Sequence, residues 1–471
     1  MGLTSIGDLS EGTRKRLTLV ACILGSAIVF IDSTVVTVAL PAIERDLGGG
    51  LALQQWVVDA YLLTLGSLIL VGGSMGDLFG EKRVFVIGVV AFAITSVLCA
   101  LAWSGNALIV GRALQGVAGA LLTPAALATI TVTFEGEERG AAIGSWTAWT
   151  GITFLIGPVV GGWLISAASW RSIFLINVPV AIATVVLIQI ALPALPPSKR
   201  TQRVDFVGAA LSLLGLAGPV FALIEAPKRG FSDPLILFTL LGGIAMFALF
   251  VLWESRTKSP MLPLRLFQRR NFTFANLETF TVYAALGVQS FFVTLFLQQV
   301  AGYSALRAGL ATLPVSAIIF FLSPRVGRLS MRFGPRVFMG GGPLICAAGA
   351  IWLRQLSPSV DYWRDLLPPL LVFAGGLSLI IAPLTATVLA DAGHGDAGIA
   401  SAVNNAIARV ANLLAVAVVG AAIAGASDQL DQHGFRLAMS IAAALLVFGG
   451  ITGVIGIRNP RRAAAPVTAP T

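Results

Sequence analysis

Five ionisable side chains of this sequence sit deep inside long apolar stretches: Asp32, Asp59 and Glu278 among the acids, Arg112 and Arg409 among the bases. A charge placed at the centre of a bilayer costs about 2.5–3.5 kcal/mol on insertion scales, so it is retained where it is paired, titrated or facing water. Burial favours the neutral form of a carboxyl group, whereas a neighbouring guanidinium favours the ionised form. An acid whose neighbours change when helices move can therefore take up a proton in one state and release it in another. Asp32, Asp59 and Arg112 are read as such a proton-coupling group; the opposing reading of the same residues is a static buried ion pair. Glu278 fits a second proton site, a site for a cationic molecule, a helix cap or a snorkelling side chain. Arg409, with Asn404, Asn405 and Asn412 nearby, reads as an interhelical tie. Tyr283, Gln289, Phe291 and Phe292 form a candidate wall for a substrate cavity, or pack toward lipid.

Other chemistries find little support. The two histidines, His394 and His433, fall in loops on opposite sides of the expected membrane, and no HExxH or phosphate-loop pattern occurs. Cys22, Cys99 and Cys346 each lie within an apolar run, with neither disulfide nor metal-ligand spacing. A membrane enzyme would need such groups to converge at one face. No cofactor, metal or ATP-driven step is expected. The net charge of +9 comes from short basic clusters between apolar runs, which argues against nucleic acid as a partner.

The elements that carry these residues follow from composition. Of 471 residues, 56% are hydrophobic and 11% charged, and the mean hydropathy is +0.89; a soluble chain carries roughly a quarter charged residues. A hydrocarbon core of about 30 Å takes about 20 helical residues per crossing. Fourteen runs meet that length, near 17–41, 52–75, 84–103, 106–133, 141–166, 173–195, 206–225, 234–253, 272–297, 308–329, 337–355, 365–389, 398–425 and 436–457. The first is too long for a signal-peptide core and reads as a retained helix. The alternation of a membrane barrel is absent. The fold class expected is all-α and membrane-integral.

Of the 31 Lys and Arg residues, twenty-one fall on one set of alternate inter-helix segments and eight on the other, with Arg112 and Arg409 inside helices. The excess places both termini in the cytoplasm. Basic loops after the sixth and eighth runs divide the chain into a six-helix bundle (1–195), two central helices (196–260), a second six-helix bundle (261–458) and a cytoplasmic tail (459–471). A weak internal repeat links Gly73–Arg83 to Ser323–Arg336, as in carriers built from two halves. At 1.5 Å per residue, Asp32, Asp59 and Arg112 all lie at roughly 20 Å from the inner face, so an Asp–Arg–Asp cluster is expected. Glu278 lies at a depth of roughly 9 Å.

Several segments resemble motifs of the major facilitator superfamily. Gly73-Ser-Met-Gly-Asp77-Leu-Phe-Gly80-Glu-Lys82-Arg83 resembles its loop signature, with glycines for a tight turn and Asp77 able to latch one conformation by pairing with an Arg or with helix-terminal N–H groups. Gly111-Arg112-Ala-Leu-Gln115-Gly116-Val-Ala-Gly119 resembles a second signature. Gly157-Pro158-Val-Val-Gly161-Gly162, with Gly144 before it, is similar to the antiporter signature, although Thr153 stands where that pattern has Gly. Pro158 and its glycines serve a kinked helix or close helix packing equally well. Ile31-Asp32-Ser33-Thr34-Val-Val-Thr37-Val-Ala-Leu40-Pro41 is similar to the first helix of fourteen-helix drug:proton antiporters, with Thr37 in place of the usual Asn. Trp56-Val-Val-Asp59-Ala-Tyr61, Trp170–Pro179 (with Asn177) and Leu297–Ser304 extend the likeness over nearly the whole chain. The resemblance implies the major facilitator fold in a cytoplasmic membrane and proton-coupled efflux of drugs or antibiotics by alternating access. Carriage of an endogenous metabolite in either direction is the alternative. The partners implied are a small-molecule substrate, protons and lipid; substrate identity and oligomeric state are not legible.

Overall fold

The computed structural model describes residues 10–192, 204–392, 396–423 and 429–459. His394, Lys199, Arg200, Arg203, Arg461, Arg462, the expected boundary at 195 and the tail beyond 459 lie outside those residues. Among the described residues there is no strand, and fourteen helices are long and apolar enough to cross a membrane. They are α1 (Glu11–Leu47), α2 (Gly50–Phe79), α3 (Glu81–Ala100), α4 (Gly105–Thr133), α5 (Glu138–Ala167), α6 (Ser172–Ala191), α7 (Phe206–Arg229), α8 (Pro234–Arg256), α9 (Arg270–Val300), α10 (Ala305–Phe333), α11 (Pro335–Leu353), α12 (Tyr362–Ala392), α13 (Gly398–Ile423) and α14 (Gln432–Gly456).

Local chemistry sets the ends. Side-chain oxygens of Ser104, Asp205, Asp233, Ser304 and Asp431 accept from the first-turn amides of α4, α7, α8, α10 and α14. Glycines in the left-handed region close α1 at Gly48, α7 at Gly230, α2 at Gly80 and α10 at Gly334. The last two are single-residue joints to the next helix, with φ/ψ of 93/130° and 85/152°. The same joint at the same place in each bundle is the geometric form of the internal repeat. It also corrects one expectation. Gly73–Phe79 is the last part of a continuous α2, and only Gly80 makes the turn.

Small residues let the helices approach closely. In the first bundle, a Cβ on Gly72 would stand 2.0 Å from the Ala120 carbonyl oxygen, and one on Gly116 would stand 2.1 Å from Thr64 Oγ1. In the second bundle Gly349 lies against the Phe373 backbone and Gly376 against Cys346. The central pair α7–α8 is joined at Gly218 and Gly243. α7 packs on both α2 and α13, one helix from each bundle.

The two bundles meet closely at one end. Near the end bearing Gly48, a Cβ on Gly162 of α5 would stand 2.5 Å from Leu306 Cα on α10, and one on Gly309 of α10 would stand 2.3 Å from the Pro158 carbonyl oxygen. At the same end Gln55 Nε2 donates to the Val416 carbonyl across α2 and α13 at 2.9 Å, and Gln298 Nε2 donates to the Val38 carbonyl at 2.9 Å. Toward the Gly80/Gly334 end, Gly151, Gly144 and Gly140 of α5 have nothing within 4 Å of a Cβ position, and Asn405 of α13 is exposed. We read these open positions as one wall of a cleft between the bundles, on the side of the basic loops.

Candidate functional site

The centre of the first bundle holds a sealed polar network. Arg112 Nη1 of α4 meets Asp32 Oδ2 of α1 at 2.5 Å. Gln115, one turn on, donates through Nε2 to Asp32 Oδ1 at 3.0 Å and to Ser96 Oγ of α3 at 2.8 Å, while its Oε1 accepts from Arg112 Nη1 at 2.5 Å. Asn177 of α6 donates to Asp32 Oδ1 at 3.3 Å and to Ser96 Oγ at 3.2 Å. Arg112 Nε finds the Val57 carbonyl of α2 at 2.9 Å, and the Tyr61 ring lies 4.3 Å from the guanidinium carbon. Asp32 and Arg112 are each 1% exposed. Five helices thus converge on one carboxylate, whose two oxygens accept from three side chains.

Asp59 does not join it, which corrects the expected Asp–Arg–Asp cluster. Depth along α2 is right, but rotation is not: the face shared by Gln55, Asp59 and Gly66 turns toward α13, where Gln55 bonds Val416 and Gly66 touches Arg409. Asp59 is fully buried there, and neither carboxyl oxygen has a hydrogen-bond partner. Glu278 is also fully buried and partnerless, against Gly453 of α14. The snorkelling reading of Glu278 is overturned by that enclosure.

The remaining expected residues separate by helix face. Of the four wall candidates, Phe291, Phe292 and Gln289 are 3%, 0% and 6% exposed inside the second bundle, so they are core. Tyr283 is the half-buried one. Gly157 and Gly161 of α5 pack on Thr34 and Val35 of α1, and Gly162 with Pro158 forms the seam to α10. These residues therefore act in helix contact. The latch at the α2–α3 joint is not engaged: among the described residues Asp77 makes no ion pair, Lys82 Nζ donates to the Leu192 carbonyl, and Arg83 is exposed. Gly73 stands 3.7 Å from Pro124 in ordinary contact, whereas a Cβ at Gly76 would strike the Glu81 carboxylate. Among the described residues, Arg409 makes no hydrogen bond that ties helices together. Asn404 does, donating to Asn276 Oδ1 at 3.0 Å and Thr279 Oγ1 at 2.7 Å of α9, while Asn412 packs on Gly287.

The network members that residue-by-residue reading missed are Gln115, Asn177, Tyr61 and Ser96. The first three lie within the quoted motifs, one turn or one helix from the charges; nothing in the sequence marks Ser96.

Fourteen helices among the described residues that are long and apolar enough to cross a membrane, arranged in two related bundles, are the architecture of a membrane carrier. The profile of the Major Facilitator Superfamily matches residues 22–416, and the chain belongs to that family. It is 32% identical over 452 residues to the methylenomycin A resistance protein of Bacillus subtilis, covering 94% of this chain and 96% of that one. It is 33% identical over 464 residues to the cephamycin export protein CmcT of Amycolatopsis lactamdurans, covering 96% and 95%. Among solved structures, a bacterial homolog to the human lysosomal transporter Spinster, inward-facing and unoccupied, matches with a TM-score of 0.66 at 18% identity over 94% of this chain and 97% of that chain. Members of the family are transporters rather than enzymes.

Proposed function

We propose that this protein is a proton-coupled antiporter that exports small hydrophobic or amphipathic compounds across the cytoplasmic membrane. The observation that carries the reading is the sealed network on Asp32 together with two fully buried carboxyl groups, Asp59 and Glu278, that have no partner. Such groups in a bilayer-spanning body are suited to carrying protons rather than fixed charge. Relatives named for antibiotic resistance and export support the direction. With the basic loops and both termini placed in the cytoplasm, the cleft is the inward-open state. The glycine seam between α5 and α10 is then the outer gate. Substrate and proton favour different members of the inward-open and outward-open pair, and this differential affinity drives exchange.

The test is pH-gradient-driven efflux of a panel of fluorescent amphipathic compounds in everted vesicles, comparing wild type, Asp32→Asn and Asp59→Asn at equal membrane abundance. Gradient-dependent movement lost in either variant supports antiport with that carboxyl as a coupling site. Movement indifferent to the gradient in wild type sinks the proposal in favour of facilitated passage.

A further inference from the structure

Among the described residues, Arg409 of α13 has no counter-ion. Arg409 lies on α13 about 17 Å from the end at Gly398, half-buried, on the face that also carries the exposed Asn405 one turn nearer the opening. Gly66 lets its Cβ approach α2 closely, to 3.2 Å from where a Gly66 Cβ would be. Its guanidinium carbon lies 6.0 Å from the Phe30 ring on α1. Phe30, Ser33 and Thr37 form one half-buried stripe of α1 at helical spacing, and the hydroxyls of the last two donate back into their own helix.

No acid answers Arg409 among the described residues. Asp32 on α1 is held by Arg112, and Asp59 on α2 is enclosed nearer the closed end. Glu278 on α9 is shut in against α14. Asp396, before α13, is paired with Arg265, and Asp391 of α12 accepts from the Phe272 amide. A guanidinium has five N–H donors and no way to become neutral, so a half-buried one without acceptors is poised to bind an anion. An ordinary hydrophobic-cation pocket would carry the opposite charge here.

The geometry points to Arg409 as the anchor for an acidic group, a carboxylate or a comparable single-charge anion, on the amphipathic molecules this cleft admits, with Phe30 beside the apolar remainder. The inference rests on the cleft being the substrate path, as proposed above, but not on proton coupling.

The test is equilibrium binding to the purified full chain in lipid nanodiscs with no gradient, with empty nanodiscs subtracted. The probes are pyrenebutyrate, its methyl ester and pyrenebutylamine, read by energy transfer from tryptophan. Pyrenebutyrate is expected to bind at least about tenfold tighter than the amine, because charge-assisted bidentate pairing is available to it alone. Arg409→Gln should remove about that factor for the acid and leave the ester unchanged. Equal affinity for acid and amine, or an equal loss for all three probes in the variant, overturns the assignment. Should Arg409→Gln fail to accumulate, Arg409→Lys carries the test: a selective, smaller loss for the acid supports the anchor, and a loss common to all three probes overturns it. Intact acid binding without gradient-driven export would sink the antiport proposal and leave this one standing.

Discussion

Substituting alanine for Gly162 should shift the protein toward the opposite-facing conformation. The Cβ it introduces would lie 2.5 Å from Leu306 Cα, 2.7 Å from the Ala305 carbonyl oxygen and 2.8 Å from the Leu306 amide nitrogen. All three are backbone atoms of α10, so no flexible side chain can move aside. Relief requires α5 and α10 to move apart at the closed end, which is the movement that would open the proposed gate. Overpacking of this kind costs about 1–3 kcal/mol. If the strain is present only when the gate is shut, the conformer ratio moves by about 5- to 150-fold. Gly309→Ala, with its Cβ 2.3 Å from the Pro158 carbonyl, should act in the same sense. Gly151→Ala, on the parted stretch of the same helix and with nothing within 4 Å, is the matched control. Thiol labelling reads the outcome. Cys22, Cys99 and Cys346 are free and buried, so a reporter at Asn405→Cys on the open side or Val416→Cys on the closed side stands against a low background. Relative to the control, Gly162→Ala should slow labelling at 405 and speed it at 416. Labelling of both reporters unchanged in a folded protein would refute the gate; faster labelling at both would mean loosening rather than switching.

The sealed pair should show itself in a double-mutant cycle. Arg112→Leu alone leaves Asp32 buried without its cation and should cost about 3–5 kcal/mol of stability, while Arg112→Leu with Asp32→Asn should recover much of it, measured by thermal unfolding in detergent. Asp59→Asn and Glu278→Gln break no hydrogen bond. Both should stay within about 1 kcal/mol of wild type in the same assay; a loss as large as that of Arg112→Leu would make them structural. Gly72→Ala, whose Cβ would strike the Ala120 carbonyl inside the first bundle, strains both conformers alike. It should lower folded yield without changing the ratio of labelling at the two reporters.

Hydropathy and basic-residue spacing were enough to place all fourteen spans, because a bilayer penalises every charge in a crossing and so writes the spans into composition. Depth was legible for the same reason: a position counted along a helix survives folding. Rotation was not. Asp59 lies at the right height to meet Arg112, yet it faces α13, and a helix whose surroundings are protein on several sides has no single apolar stripe to reveal its orientation. Phe291 and Phe292 failed in the same way, since aromatic residues serve a core and a cavity equally well. The glycines of α5 were marked by motif, but whether they bend one helix or seat two against each other depends on α10, some 145 residues away in the chain.

α1 shows how one helix can join these parts. Within six residues it presents Asp32 to the sealed network, Ser33 and Thr37 to a half-buried stripe shared with Phe30, and Thr34 with Val35 to the glycines of α5. Successive residues turn by about 100°, so the three faces are fixed relative to one another. In the proposed mechanism, a change of charge on Asp32 would alter what Arg112 and Gln115 hold, and a resulting rotation of α1 would be passed directly to α5 through Thr34 and Val35. The contact at Gly157, where a Cβ would lie 2.0 Å from Thr34 Oγ1, leaves little slack between α1 and α5. Under the proposed antiport, Asp32 as proton site and the α5–α10 seam as gate would need no long relay; a single rigid element with three faces would suffice.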